Sequence, residues 1–195
     1  KGTITFKDVS FAYPGADNDV VEHISFSAKQ GETIAFIGAT GSGKTYLAAF
    51  DAKVFGGRFL YLVHRKNVLF KSVKSFKKVM GGTRSIHVFD VLEGDTGADC
   101  MFSTRQTMSN PNVLNLFSRD RFDYILIDEA HGAGSETYQR IISYFNPKFL
   151  LGMTATPDRL DGYDIYSLFD HNIAYEIRLK EALEYNLICP FHYFG

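Results

Sequence analysis

The chain has 195 residues, 45% hydrophobic and 22% charged, with a formal net charge of −1 at pH 7. That length suits one large domain, or one domain with a small appendage, and the composition is that of a soluble globular protein with a substantial core and no segment forced into disorder. It supplies no global basic field, so any contact with nucleic acid must rest on a local patch.

In chain order, "TITFKDVSFAY" and "VVEHISFSAK" are β-rich runs with partial alternation, read as two strands around the turn-rich "PGADND". "GETIAFIG" becomes almost continuously apolar, the pattern of a buried parallel strand. "KTYLAAFDAKVF" follows as a helix stopped by the pair Gly56 and Gly57. "RFLYLVH" is the next buried strand. After it, Leu69, Val73, Phe76 and Met80 form one helical stripe. Lys71, Lys74 and Lys78 lie opposite and read as a solvated face in preference to a nucleic-acid contact. "SIHVFDV" and "CMFSTRQT" are expected strands around the flexible "LEGDTGAD", and "NVLNLF" is a short helix. The apolar strand "FDYILIDEA" precedes helix "SETYQRIISYF", strand "FLLGMTAT", helix "DIYSLF", strand "AYEIR" and helix "LKEALEYN". This alternation predicts an α/β fold with helices on both faces of a mostly parallel sheet, and a ligand at the carboxyl ends of its strands.

Three motifs fall at those ends. "GATGSGKT" fits G-x-x-x-x-G-K-[ST]: Gly38, Ala39, Thr40, Gly41, Ser42, Gly43, Lys44 and Thr45. Glycines there let backbone N–H groups converge on phosphate at a helix N-terminus. Lys44 is expected to neutralise the β- and γ-phosphates and Thr45 to ligate Mg²⁺. In "ILIDEAH", Asp128 is placed to hold Mg²⁺ opposite Thr45, and Glu129 to act as general base on water. In "GMTATP", Thr154 and Thr156 are placed to bond the Asp128–His131 segment and sense the γ-phosphate. These assignments make a P-loop NTPase of three layers that binds ATP, or another nucleoside triphosphate, with Mg²⁺.

From Thr45 onward the chain resembles the first motor lobe of a superfamily 2 helicase of the D-E-A-H type, nearest to restriction-enzyme and DNA-repair translocases. The residues that carry this are "GSGKT", "LVHR", "STRQT", "DEAH" and "TATP", in that order. The resemblance implies that His64, Arg65, Thr104 and Gln106 line the path of a nucleic-acid strand; ordinary strand-end polarity explains them equally well. It also assigns His131, Thr154 and Thr156 to coupling.

The preceding text, "ITFKDVSFAYPG…VVEHISFSAKQGETIAFIGATGSGKT", instead resembles the start of an ABC transporter nucleotide-binding domain. That resemblance implies that Tyr13, held beside Pro14, stacks on adenine. No Ser-Gly-Gly-Gln signature or switch histidine follows, and the helicase likeness lacks its own adenine motif. The simplest account is an engineered chimera joined at the shared loop, in one domain of residues 1–195 with antiparallel ABC-like strands at a sheet edge. Packing faults are expected between those strands and the rest.

Turnover in both families needs an arginine or a signature from another surface. The chain ends at "CPFHYFG", about where a second lobe would begin, so slow hydrolysis and no unwinding are expected. A nucleic-acid-dependent helicase fragment and a scaffold with an impaired site stand as alternatives, with an ABC transport subunit behind them. Cys100 and Cys189 match neither a metal-ligand nor a disulfide pattern. With no membrane-length apolar run and no secretory signal, the expected protein is a cytoplasmic monomer without a membrane partner. Its opening on Lys1 in place of Met reads as a trimmed or excised product.

Overall fold

The structure, a computed structural model, describes residues 3–11, 21–29, 33–38, 43–90, 96–155 and 173–177. Strands β3 (Thr33–Gly38), β4 (Phe59–Val63), β5 (Ile86–Val88), β6 (Cys100–Thr104), β7 (Tyr124–Asp128), β8 (Phe149–Thr154) and β9 (Ile173–Ile177) build one sheet. Its order is β5-β6-β4-β7-β8-β3-β9, with every neighbouring pair parallel. The helices are α1 (Lys44–Phe55), α2 (Lys66–Met80), α3 (Arg105–Met108), α4 (Pro111–Leu114) and α5 (Glu136–Tyr144), with a 3-10 turn at Ala130–Gly132.

Alternation along the central strands divides the core into two. Phe59, Tyr61 and Val63 of β4 and Tyr124 and Leu126 of β7 pack with α1 and α2 on one face. Leu60, Leu62, Ile125 and Ile127 pack with α3, α4 and α5 on the other. A sheet covered on both faces must be apolar on both, which is why these strands read as unbroken hydrophobic runs. The stripe expected on α2 is buried at Leu69, Val73, Phe76 and Met80, while Lys71, Lys74 and Lys78 are exposed.

Glycine closes α1 in two different ways. Gly56 takes a left-handed conformation, φ 75°, and returns its N–H to the Ala52 carbonyl. Gly57 is instead a close approach: a Cβ there would lie 2.7 Å from the Phe55 ring and 2.8 Å from Asp123 Cβ.

The antiparallel strands β1 (Thr3–Phe11) and β2 (Val21–Lys29) pair with each other and form a two-stranded sheet of their own. Phe6 and Phe26 stack at 4.6 Å, and Phe6, Val9 and Phe26 dock on the α1–α2 core. Thr5, Lys7, Asp8, Ser10, His23, Ser25 and Ser27 are exposed. One apolar face therefore fastens this hairpin to the body.

The strand expected through Thr107 ends sooner. Thr104 Oγ1 accepts the Thr107 N–H at 3.2 Å and caps α3, so the backbone turns helical at Arg105. The helices expected at 164–169 and 179–186 lie outside the described residues. Among the described residues no helix is long and apolar enough to cross a membrane.

Candidate nucleotide site

Parallel register brings the motif-bearing strand ends to one edge of the sheet. Ile37, just before Gly38, pairs with Thr154, and Asp128 pairs with Met153. Gly43 precedes α1 in a left-handed conformation, φ 74°, with its carbonyl accepting from the N–H groups of Tyr46 and Leu47. Lys44 and Thr45 thus open α1, half-buried, at the positive end of its dipole. Burial holds the Lys44 ammonium down at about 8, against the opposing pull of the Asp128 charge.

Asp128 ends β7, within reach of the Lys44 charge. Burial raises its pKa; hydrogen bonds from Tyr61 and from the Glu129 N–H, the latter 2.9 Å to Oδ1, act in the opposite direction. The Tyr61 hydroxyl donates to Oδ2. Glu129 adopts φ 56° and ψ 45°, a left-handed conformation costly for a side-chain-bearing residue. Strain of this kind concentrates at functional sites, and here it turns the chain sharply at the acidic pair. Behind the turn, the Tyr138 hydroxyl donates to the Asp128 carbonyl at 3.4 Å.

His131 and Thr154 are brought together across β7 and β8, with Nδ1 and Oγ1 3.3 Å apart. His64, Arg65 and Gln106 are exposed past the carboxyl ends of β4 and β6. Thr104 is only 5% exposed, and its hydroxyl serves as the α3 cap. Tyr13, Ala39, Thr40, Gly41, Ser42 and Thr156 lie outside the described residues.

Among the described residues no group of three or more His, Cys, Asp or Glu side chains could hold a metal. Mg²⁺ does not need such a cage: it is usually held by one or two protein oxygens together with waters and substrate phosphates. A Thr hydroxyl and an Asp carboxylate are oxygen donors of that hard kind. Each Asp128 oxygen accepts one hydrogen bond and keeps lone-pair capacity for a cation. The residues present fit Mg²⁺.

Sequence reading missed Tyr61, Tyr138 and Arg105. Arg105 Nη1 donates to Ser135 Oγ at 2.7 Å, and its guanidinium lies over the Tyr138 ring. A signal existed for Tyr61: a phenol inside a fully buried strand needs a partner for its hydroxyl.

Residues 15–159 match the protein family described as type III restriction enzyme, res subunit. The chain belongs to that family. The match begins after β1 and runs across the phosphate loop, reaching into the stretch whose sequence is transporter-like. Among solved structures, the chain is similar to a fragment of an HsdR subunit of a type I restriction enzyme from Vibrio vulnificus. That likeness has 28% identity and a TM-score of 0.55, covering 78% of this chain and 27% of that one. A hypothetical ATP-dependent RNA helicase from Sulfolobus tokodaii shares the fold, with a TM-score of 0.62 at 15% identity, over 74% of this chain and 47% of that one. A second kind of relative is also present. An ABC transporter ATP-binding protein of Bacillus subtilis is 56% identical over 46 residues, 24% of this chain and 8% of that protein. This res-family chain therefore carries a P-loop sequence motif and a short ABC-type likeness within one sequence, and it spans less than half the length of these relatives.

Proposed function

We propose that this domain binds Mg²⁺-ATP at the edge where β3, β7 and β8 end, that it hydrolyses slowly by itself, and that it does not unwind nucleic acid by itself. The observation that carries the reading is the convergence of Lys44, at the start of α1, with Asp128, at the end of β7. Lys44 would bind the phosphates; Thr45 and Asp128 would hold Mg²⁺, which shields phosphate charge during transfer. Glu129 would orient and deprotonate the attacking water. His131 and Thr154 would report the state of the γ-phosphate through their contact. Tyr13 would stack on the adenine ring, as the transporter likeness implies.

The class of chemistry supports the proposal of slow turnover by this domain alone. P-loop hydrolases gain orders of magnitude in rate from an arginine supplied by a separate surface. The same proposal includes chimeric origin: one protein carries an ABC-type match over 46 residues and a res-family match over residues 15–159.

The testing experiment is a titration of ATP and GTP, with and without Mg²⁺, followed by melting temperature, on the wild type and on Tyr13→Ala. The wild type is expected to be stabilised by Mg²⁺-ATP, and Tyr13→Ala to lose ATP affinity. Unchanged ATP affinity in Tyr13→Ala would refute adenine stacking.

A second reading is favoured by the exposed His64, Arg65 and Gln106 past β4 and β6. It makes the domain a nucleic-acid-dependent ATPase. Hydrolysis stimulated by single-stranded DNA or RNA and lost in Arg65→Ala would select it.

A further inference from the structure

Tyr61 sits at the centre of β4, fully buried among apolar residues. Its ring stacks on Phe102 at 4.9 Å and meets Phe76 edge-on at 5.5 Å. Phenylalanine would fill that volume without bringing a polar group into the core, so packing alone does not account for the hydroxyl. The hydroxyl has two partners. It donates to Asp128 Oδ2, and Ser72 Oγ on α2, itself only 3% exposed, lies 2.8 Å away. With the phenol proton committed to Asp128, Ser72 is the donor in the second bond. Asp128 Oδ1 is held separately by the Glu129 N–H at 2.9 Å. Both carboxylate oxygens are thereby fixed, one from the strand core and one from the turn that follows.

We propose that Tyr61 is a positioning residue for the metal-holding carboxylate. The chain Ser72–Tyr61–Asp128 selects one Asp128 rotamer and leaves the remaining lone pairs of its oxygens for the cation. It also joins α2, which starts directly after Arg65, to the end of β7. The inference rests on the reading of Asp128 as a Mg²⁺ ligand. Groups that hydrogen-bond a metal ligand orient it, and removing them costs about ten- to a hundredfold in metal affinity.

The test titrates MgCl₂ at fixed ATP on the full chain, following binding of a fluorescent ATP analogue, with a metal-free titration beside it. Tyr61→Phe is expected to raise the Mg²⁺ concentration for half-maximal binding about tenfold. The shift should fall on Mg²⁺-dependent binding and not on metal-free binding, which a general loss of packing would lower as well. Ser72→Ala is expected to shift the requirement in the same direction by less, and Asp128→Asn to abolish Mg²⁺-dependent binding. A wild-type Mg²⁺ requirement in Tyr61→Phe, with Asp128→Asn defective, would overturn the positioning role and leave the Asp128 reading intact. A wild-type requirement in Asp128→Asn would overturn that reading and this inference with it. Should Tyr61→Phe fail to fold, Ser72→Ala decides, and an unchanged requirement there counts against the chain.

Discussion

The Tyr124 hydroxyl donates a 2.5 Å hydrogen bond to Asp51 Oδ2 inside the core, joining the middle of α1 to β7. Asp51 is 1% exposed, and its Oδ1 has no hydrogen-bond partner among the described residues. Burial pushes this carboxyl up to about 7, with the Tyr124 bond acting in the other direction.

The sign of the pH dependence follows. An acid with a raised folded-state pKa binds its proton more tightly folded than unfolded. Its effect on stability is most favourable below about pH 4, fades as pH rises through about 7, and is flat above. Asp51→Asn should therefore remove a loss that the wild type shows between about pH 4 and pH 7, measured by denaturant unfolding at each pH. Equal slopes in the two proteins would contradict the assignment.

Gly57 offers a packing test remote from the site. The added methyl of Gly57→Ala would meet Phe55 and Asp123 well inside van der Waals contact, at 2.7 and 2.8 Å. Asp123 is tied down, since its Oδ2 accepts the Arg58 N–H at 2.9 Å and its Oδ1 pairs with Lys148. The substitution should cost about 1–3 kcal/mol in urea unfolding. A neutral result would mean that the α1–β4 turn yields more easily than its contacts imply.

The His131–Thr154 contact links the D-E-A-H segment to β8. Thr154→Val keeps the shape and removes the hydroxyl, at about 1 kcal/mol of stability. If this contact reads the γ-phosphate, the variant should bind ADP as before while losing part of the preference for ATP. An unchanged ratio of ATP to ADP affinity would leave the pair a purely structural bond.

Much of this was legible in the sequence because it depends on local pattern. The apolar runs of β4, β7 and β8 announced strands covered on both faces. The stripe Leu69–Val73–Phe76–Met80 announced α2, and the Gly56–Gly57 pair its predecessor's end. Chain order also placed Lys44 and Asp128 on one sheet edge, because all strands of a parallel sheet present their carboxyl ends together. What was not legible depends on partners far away in sequence. Nothing local says that Tyr61 reaches Asp128, that Asp51 meets Tyr124, or that Arg105 lies over Tyr138. The end of β6 was misplaced because Thr104 suits a strand and a helix cap equally, and the cap decides. Likewise, the alternation in β1 and β2 marked two strands without saying that, among the described residues, they pair with each other and not with the seven-stranded sheet.

The central claim is that the edge formed by α1, β7 and β8 holds Mg²⁺-ATP. Its most direct test is the melting temperature of the wild type and of Lys44→Ala across an ATP titration with Mg²⁺. A ligand at a hundred times its Kd stabilises the folded state by about 2.7 kcal/mol, a readily measured rise. That rise is expected in the wild type, with a dependence on Mg²⁺, and is expected to be lost in Lys44→Ala. A wild type that ATP does not stabilise, or a Lys44→Ala protein stabilised equally, would contradict it.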